Sequence, residues 1–264
     1  MPTLHRPDVD IYYEHAGTGP PLLLIPGMLS DSATWMPVLP FLEPHFTLIR
    51  PDNRATGRMQ DVELFSLSDC VDDLTALIEH LDLTNLHVAG HSMGGYLSLM
   101  LAEAIPDRIA SMSLLASAGV NGPRNFQLFT SALEIRKLET DPARMAWLRA
   151  LFPWLMSPEF FRDPNQLEAA IAASAAYAHG QSTHAMATQI DALTRFRGAP
   201  KGEKLPFPIQ AVLADNDLLF PVDAAKGALK HVPDITFEVI SDAAHSIHWE
   251  QPAAVAQAIR KIAS

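Results

Sequence analysis

The stretch that most limits what this chain can fold into is LHVAGHSMGG, residues 86–95. A short apolar run, typical of a buried strand, leads directly into Gly-His-Ser-Met-Gly, and a helical pattern follows over residues 96–104. A strand, a sharp turn and a helix are the context in which a G-x-S-x-G sequence presents its serine above a sheet. The glycines suit so tight a turn, because a side chain at either position would collide across it. This stretch therefore predicts an exposed, nucleophilic Ser92 at the carboxyl end of a buried strand.

Strand and helix patterns alternate on both sides of this turn. The apolar run at residues 22–25 is typical of a strand buried on both faces of a parallel sheet. Ser68 is the expected N-cap of the first long helix. Besides the strand and helix of the serine turn, the predicted strands are residues 9–14, 22–25, 46–50, 109–116, 208–214 and 235–240. The predicted helices are residues 68–81, 222–231 and 252–262. This order predicts a doubly wound α/β fold with a mostly parallel sheet.

Residues 120–200 interrupt the alternation. We find no strand pattern there, and helical patterns cover residues 125–138, 143–152, 165–177 and 183–195. We therefore predict a core domain made of residues 1–119 and 201–264, with residues 120–200 inserted as a helical cap. The cap is rich in aromatic side chains, each of which either lines a substrate pocket or belongs to the cap's own core. The candidates for the substrate pocket are His91, Trp147, Phe152, Trp154 and His248.

The composition limits the class of partner. With 264 residues, of which 48% are hydrophobic, the chain is long enough for one large domain with a full core. A net charge of −11 argues against binding to nucleic acid or to an anionic membrane surface. The one cysteine, Cys70, follows an apolar helical periodicity, which predicts a buried residue rather than a reactive thiol.

Location and cofactors follow from the same inspection. The sequence shows neither a secretory signal nor an apolar run of transmembrane length. We therefore expect a cytoplasmic protein with no membrane contact, either a monomer or a homodimer. A single cysteine leaves no thiolate cluster for zinc, and we expect neither a metal nor another cofactor.

The serine needs two partners from elsewhere in the chain. A hydroxyl is a poor nucleophile at neutral pH until a histidine accepts its proton and a carboxylate orients that histidine. In an α/β sheet such groups gather at the carboxyl ends of strands. His245 follows the last predicted strand and is the expected base, whereas His248 is interpreted as a wall or support residue. Asp215 and Asp217 both follow the preceding strand, and their spacing alone does not choose between them.

An acyl-transfer site also needs an oxyanion hole, which takes two backbone N–H groups. Met93, immediately after the serine, is expected to supply one of them. Met28 is expected to supply the other, because it follows the strand at residues 22–25 and the preceding Gly27 lets the backbone approach closely. His91, beside the serine, is expected to pack against or bind nearby backbone.

Taken together, these motifs resemble the α/β-hydrolase superfamily. The resemblance is to the branch that includes 3-oxoadipate enol-lactonases, aminoacrylate hydrolases, small carboxylesterases, acyl-homoserine lactonases and C–C bond hydrolases. The matching motifs are Ile25-Pro26-Gly27, residues 52–58, residues 90–95, Asp217 to Pro221, and Ala244-His245 with Glu250-Gln251-Pro252. The resemblance implies an α/β-hydrolase fold and favours Asp217 over Asp215, because the family's acid lies four positions before this proline.

Two departures from the family pattern concern loops. Pro26-Gly27 stands where the family often has His-Gly. Ala55 and Met59 replace a glycine and a serine in the stretch that supports the active-site loops. These departures leave the catalytic groups in place and put the geometry of the loops in question.

Three functions fit this pattern. The first is a serine hydrolase that cleaves a small-molecule ester, thioester or lactone of partly apolar character through an acyl-enzyme on Ser92. The second is a C–C bond hydrolase or cofactor-free oxygenase in which His245 acts as the base. His91 disfavours the C–C hydrolases, which commonly carry Asn at that position. The third is a non-catalytic ligand-binding member of the fold.

Overall fold

A computed structural model describes residues 2–60, 62–118, 122–138, 140–196 and 205–264. Within these ranges, eight strands form one sheet. The strands are β1 Thr3–His5, β2 Asp10–Ala16, β3 Pro21–Ile25, β4 Thr47–Pro51, β5 Leu86–His91, β6 Ile109–Leu115, β7 Ile209–Ala214 and β8 Thr236–Ile240. Each predicted strand is present, and β1 is an additional strand that the sequence patterns did not indicate.

The sheet has the order β1-β2-β4-β3-β5-β6-β7-β8. Strands β1 and β2 are antiparallel to their neighbours, and all pairs from β4 to β8 are parallel. Strand β5, which leads into the serine turn, lies between β3 and β6, and all six of its residues are buried. The predicted doubly wound, mostly parallel fold is confirmed.

The described helices are α1 Leu39–Leu42, α2 Leu67–His80, α3 Met93–Ala104, α4 Pro123–Arg136, α5 Asp141–Leu155, α6 Pro164–Ala176, α7 Thr183–Arg195, α8 Val222–Leu229, α9 Ile247–Glu250 and α10 Pro252–Ala263. Eight of the described helices follow the predicted pattern with shifted ends, and the short helices α1 and α9 are additional. Short 3-10 turns cover Ser32–Val38, Pro106–Arg108 and Pro158–Arg162.

The N-cap predicted for α2 was wrong. The cap is Ser66 rather than Ser68, because Ser66 forms a reciprocal capping box with Asp69. The Ser66 hydroxyl accepts a hydrogen bond from the Asp69 N–H, and the Asp69 carboxylate accepts one from the Ser66 N–H at 2.6 Å. Two orphan N–H groups are satisfied in this way, so the N-cap lies two residues earlier than predicted and the helix begins at Leu67.

Both faces of the sheet are covered by apolar packing. Along β3, Leu23 and Ile25 belong to one apolar cluster, with α2 and α3, while Leu22 and Leu24 belong to a second cluster, with Trp35 and α10. Alternate side chains of one strand thus enter two separate cores, as a parallel sheet buried on both faces requires. Cys70 is 2% exposed in the first cluster, and burial raises the pKa of its thiol to about 12, which confirms a buried structural cysteine.

Helices α4 to α7 lie in the predicted cap, where the described residues contain no strand. Part of this region has apolar clusters of its own. The predicted domain boundaries, at residues 119/120 and 200/201, lie outside the described residues and stay predictions. In the part of the chain that the structure describes, no helix has both the length and the apolar character needed to cross a membrane.

Candidate active site

Ser92 lies at the turn between β5 and α3 in a strained conformation. Its backbone has φ 52° and ψ −114°, outside the range that a side-chain-bearing residue usually adopts. Hydrogen bonds hold it on both sides, because its N–H donates to the Leu115 carbonyl and its carbonyl accepts from the Gly95 N–H, each at 2.9 Å. Such strain costs about 1–3 kcal/mol and persists only where the surroundings impose it.

The glycines around Ser92 are needed for close packing. A Cβ atom on Gly94 would collide with the carbonyl oxygen of Ile25, at the end of β3. A Cβ atom on Gly90 would collide with the carbonyl oxygen of Gly94 and with the Ser98 hydroxyl. The turn therefore presses directly against the neighbouring strand, as the G-x-S-x-G spacing predicts.

The structure brings Asp217 to His245. The Asp217 Oδ2 lies 3.0 Å from the His245 Nδ1, and both residues are almost fully buried. The other carboxylate oxygen, Oδ1, accepts the N–H groups of Leu219 and Phe220 at 2.8 and 2.9 Å. Burial alone raises the pKa of Asp217, but the nearby His245 and these hydrogen bonds outweigh it and hold the pKa below its ordinary value.

Asp215, the other candidate from spacing, points elsewhere. It is exposed, and its Oδ1 accepts from the Asn216 side chain at 2.7 Å. Asp217 leaves the strand one turn later, where the backbone folds back and offers two N–H groups to its carboxylate. This local turn selects the carboxylate that faces His245.

The residue preceding Ser92 connects it to the histidine loop. His91 is buried, and its Nε2 lies 2.8 Å from the carbonyl oxygen of His245, with the two rings 4.9 Å apart. Because a carbonyl can only accept, the Nε2 of His91 carries a proton. Burial, with a smaller effect of a charged His245, lowers the pKa of His91 to about 3 and keeps the ring neutral.

His248 lies behind the same cluster. Its ring is 4.4 Å from the ring of His91, and its Nε2 is 2.9 Å from the Thr34 hydroxyl. Burial, His91 and His245 together lower its pKa well below the ordinary value. These contacts are those of a support residue, and a direct role of either His91 or His248 in a substrate pocket stays a prediction.

Residues 26–31, hereafter the 26–31 loop, run past Ser92 and contain the candidate oxyanion donor Met28. A Cβ atom on Gly27 would lie 2.9 Å from His91 Nδ1 and 3.2 Å from the Ser92 Cβ, so this loop touches the serine turn. The Asn53 side chain supports it by donating to the Pro26 carbonyl at 2.9 Å. Met93 is the first residue of α3, directly after Ser92. Both predicted donors therefore lie beside the serine, and their role stays a prediction.

The stretch at residues 52–58 carries the loop departures noted above. Ala55, which stands where the resemblance implies glycine, adopts φ 62°, the left-handed conformation that favours glycine. Its N–H donates to the Met59 carbonyl at 2.8 Å. The Asp52 carboxylate accepts the N–H groups of Ser32 and Arg58, each at 2.8 Å. The turn is thus retained despite the alanine, and it supports the start of the 3-10 turn after the 26–31 loop.

Comparisons with known proteins identify the family of this chain. The model of the alpha/beta hydrolase family matches residues 22–258. The chain belongs to the alpha/beta hydrolase family. It is 28% identical over 262 residues to the "Putative carbamate hydrolase RutD" of Azorhizobium caulinodans, covering 96% of this chain and 94% of that relative.

Solved structures also match this chain over nearly its whole length. The "Putative non-heme bromoperoxidase BpoC" from Mycobacterium tuberculosis H37Rv is 25% identical with a TM-score of 0.85, covering 98% of this chain and 97% of that one. A thermophilic esterase from Thermogutta terrifontis is 25% identical with a TM-score of 0.78, covering 98% and 95%. The family predicted from the motifs is confirmed.

The three cap aromatics predicted for a pocket lie in different surroundings. Trp147 lines a cavity of about 350 Å³ within the cap, and the Arg136 guanidinium lies 4.5 Å from its ring centre. Phe152 packs in the cap's own core, stacked on Phe160. Trp154 packs against the main core, beneath Arg124. Neither Ser92, Asp217 nor His245 lines the cap cavity, so substrate contact by these aromatics stays a prediction.

Two residues join the cap to the site; sequence reasoning named Glu250 within a family motif without giving it a role and missed Gln189. Glu250 accepts the N–H of Ser157 at 2.9 Å and the N–H of Ala244 at 2.8 Å, which ties the end of the cap to the His245 loop. Gln189 accepts the N–H of Leu29, in the 26–31 loop, at 3.0 Å. One signal was available for Gln189: it lies at helical spacing from the buried Ala185, Ala192 and Leu193, as a polar residue on an apolar helix face.

Proposed function

We propose that this chain is a serine hydrolase that cleaves a carboxylic ester, thioester or lactone bond through an acyl-enzyme on Ser92. The observation that carries the proposal is the buried Asp217–His245 pair. The backbone carbonyl of His245 accepts a hydrogen bond from His91, the residue directly before the strained Ser92. A pair of this kind beside a serine turn is the arrangement that activates a hydroxyl.

The hydrogen bonds of Asp217 determine which nitrogen of His245 carries the proton. Its Oδ1 is occupied by two backbone N–H groups, so its Oδ2 takes the Nδ1–H of His245. That bond leaves a lone pair on the His245 Nε2, which accepts the hydroxyl proton of Ser92 as the Ser92 Oγ attacks the substrate carbonyl. The imidazolium formed in this step is stabilised by the carboxylate, whose low pKa keeps it ionised.

The negative charge of the tetrahedral intermediate develops on the former carbonyl oxygen. The N–H groups of Met28 and Met93 bind this oxygen, and the N-terminal end of α3 adds its dipole. Collapse expels the alcohol or thiol, which takes the proton from His245, and an ester of Ser92 remains. Water then attacks this ester by the same proton transfers, releasing the acid and restoring the Ser92 hydroxyl.

The relatives favour a hydrolytic reaction. One of the matched structures is an esterase, and the matched relative from Azorhizobium caulinodans carries a hydrolase name. The apolar side chains of the cap suit a small or medium substrate of partly apolar character. A net charge of −11 makes a polyanionic substrate such as nucleic acid a poor partner.

A serine-reactive fluorophosphonate probe and a panel of p-nitrophenyl acetate, p-nitrophenyl butyrate and lactones test the proposal. We expect the probe to label Ser92 in the wild type, and Ser92→Ala to lose the label and at least about 10⁴-fold in kcat. Ser241→Ala, an exposed serine, is the matched control and should keep both. Absence of labelling, together with full turnover by Ser92→Ala, would contradict the proposal. Turnover that survives Ser92→Ala but not His245→Ala would favour the base-only reactions instead.

A further inference from the structure

The 26–31 loop is held from two sides, and the cap supplies one of them. The core holds its first residue, because Asn53 donates to the Pro26 carbonyl. The cap holds its far end through two side chains: Gln189 accepts the Leu29 N–H at 3.0 Å, and the Tyr177 hydroxyl donates to Asp31 at 2.8 Å. The loop that carries Met28 is therefore shaped jointly by core and cap.

The carboxamide of Gln189 has one allowed orientation. Gln189 is fully buried in α7, and its Oε1 accepts both the Leu29 N–H and the Gln181 Nε2, the latter at 3.1 Å. The Gln181 Nε2 donates in addition to the Ala55 carbonyl at 2.6 Å. Rotating the Gln189 amide by half a turn would place its NH2 against two donors. The acceptor that faces Leu29 is thus fixed by the surrounding hydrogen bonds.

Leu29 needs such a partner because its backbone is strained. It has φ 64°, a left-handed conformation that a leucine adopts rarely and only when its surroundings impose it. The bond from its N–H to the Gln189 Oε1 anchors this turn to α7. Without the acceptor, the loop is free to relax toward ordinary backbone angles.

A peptide plane and one hydrogen bond link the Met28 N–H to the segment that contains Leu29. The N–H of Met28 belongs to the same planar peptide as the Gly27 carbonyl and points the opposite way. That carbonyl accepts the hydroxyl of Ser30 at 3.1 Å, so the position of Ser30 sets the plane of the peptide. Ser30 follows Leu29 directly, and a change at Leu29 therefore turns the Met28 N–H.

We propose that Gln189 is a positioning residue of the oxyanion hole: the cap, through this one acceptor, sets the direction of the Met28 N–H. The inference rests on the proposed function, because it assigns Met28 as an oxyanion donor. It makes cap docking a condition for catalysis, since α7, a helix of the cap, orients one of the two donors. Gln189 itself touches neither the substrate nor the reacting atoms.

Two variants at this position separate the acceptor from the bulk of the side chain. Gln189→Met keeps a similar length and removes the acceptor, whereas Gln189→Glu keeps an acceptor for the Leu29 N–H. With p-nitrophenyl butyrate, we expect Gln189→Met to lower kcat about 10- to 100-fold with little change in KM. The inhibition constant of an alkyl trifluoromethyl ketone, whose adduct places an oxyanion in the hole, should rise by the same factor. Gln189→Glu should recover most of both losses.

A matched control distinguishes this role from general attachment of the cap. Gln60 also joins core and cap, because its Nε2 donates to the Gly180 carbonyl at 3.3 Å and its Oε1 accepts the Ser182 N–H at 2.7 Å. Gln60→Met should lower the thermal midpoint while leaving kcat and the ketone inhibition constant within about twofold. Equal losses in Gln60→Met and Gln189→Met would overturn the inference, as would a Gln189→Met variant that changes KM alone or nothing.

Gln181→Met covers the case in which Gln189→Met does not fold. It removes the donor that orients the Gln189 carboxamide but leaves the acceptor in place, so we expect a smaller loss in kcat and in ketone affinity, in the same direction. A folded Gln181→Met with unchanged ketone affinity would then refute the inference. Failure of the proposed function is distinguishable, because the fluorophosphonate would then fail to label Ser92 in the wild type. If Ser92 is labelled and Gln189→Met is fully active, the role of Gln189 is refuted and the proposed function stands.

Discussion

Replacing Asp217 with asparagine removes one charge and one acceptor, and the surrounding backbone decides which acceptor is lost. The Oδ1 of Asp217 receives the N–H groups of Leu219 and Phe220 at 2.8 and 2.9 Å. The single carbonyl oxygen of an asparagine has to take that position. Its NH2 group then takes the position of Oδ2, 3.0 Å from the His245 Nδ1.

The energies favour this orientation. Turning the amide round would leave two buried N–H groups facing a donor, at about 1–3 kcal/mol each, whereas the favoured orientation loses only one bond. Facing an NH2 group, the His245 Nδ1 has to accept, so the ring proton moves to Nε2 and the lone pair that takes the Ser92 proton is gone. The same exchange in a serine protease triad costs about 10⁴ in kcat, which is about 5.4 kcal/mol of barrier.

We therefore expect Asp217→Asn to lower kcat for p-nitrophenyl butyrate by about 10³- to 10⁴-fold while remaining folded. Circular dichroism checks the fold, and loss of the low-field proton resonance of a carboxylate-bound His Nδ1–H reports the changed tautomer. Asp215→Asn, an exposed carboxylate two positions earlier, is the control and should stay within about twofold of wild type. If Asp217→Asn keeps activity within about tenfold of wild type while Ser92→Ala is inactive, the tautomer argument is refuted.

Three further predictions concern stability. Burial holds the pKa of His91 at about 3 in the folded chain, so only the unfolded chain takes up a proton at His91 as the pH falls below about 6.5. The free energy of unfolding therefore drops by up to about 1.4 kcal/mol for each pH unit. In denaturant titrations at several pH values, His91→Asn should remove this contribution to the slope of unfolding free energy against pH. Glu250→Gln leaves one of two backbone N–H groups without an acceptor and should cost about 1–3 kcal/mol of unfolding free energy. Gly94→Ala drives a Cβ atom into a strand carbonyl and should cost more than about 3 kcal/mol, whereas Gly227→Ala, in open space on α8, should stabilise the chain by up to about 1 kcal/mol in thermal unfolding.

Each of these has an outcome that would contradict it. An unchanged slope in His91→Asn, with the exposed His184→Asn as the control for loss of an imidazole, would show that His91 takes up its proton in the folded chain. A Glu250→Gln protein as stable as wild type would mean that the N–H group left without a side-chain oxygen finds another acceptor. Equal effects of Gly94→Ala and Gly227→Ala would show that the serine turn can move away from β3.

The site was predictable where the chemistry is local. The turn around Ser92 joins a strand to a helix within one stretch, and its glycines reflect contacts made across a few residues, so the sequence pattern contains the geometry. Met93 follows from the same turn. His245 was found by a topological rule, since the carboxyl ends of parallel strands share one edge of the sheet.

The choice between Asp215 and Asp217 shows where local reasoning stopped. Two carboxylates two positions apart are equivalent in spacing, and a resemblance to the family was needed to favour the second. The physical reason is a turn in which Leu219 and Phe220 direct their N–H groups to Asp217, and no periodicity encodes that turn. The prediction of the α2 N-cap was wrong for a similar reason. Ser66 and Ser68 are both serines near the start of the helix, and the capping box that the Asp69 side chain forms with Ser66 decides between them.

By itself, the sequence determined the alternation of strands and helices, the serine turn and the edge of the sheet where Asp217 and His245 lie, because each of these rests on contacts between near neighbours or on the direction of parallel strands. Only the tertiary structure decided how the cap meets the core. Gln189 reaches Leu29, and Glu250 reaches Ser157, across 160 and 93 positions of the chain. Such contacts depend on where whole elements pack, and a single sequence carries no spacing rule for them.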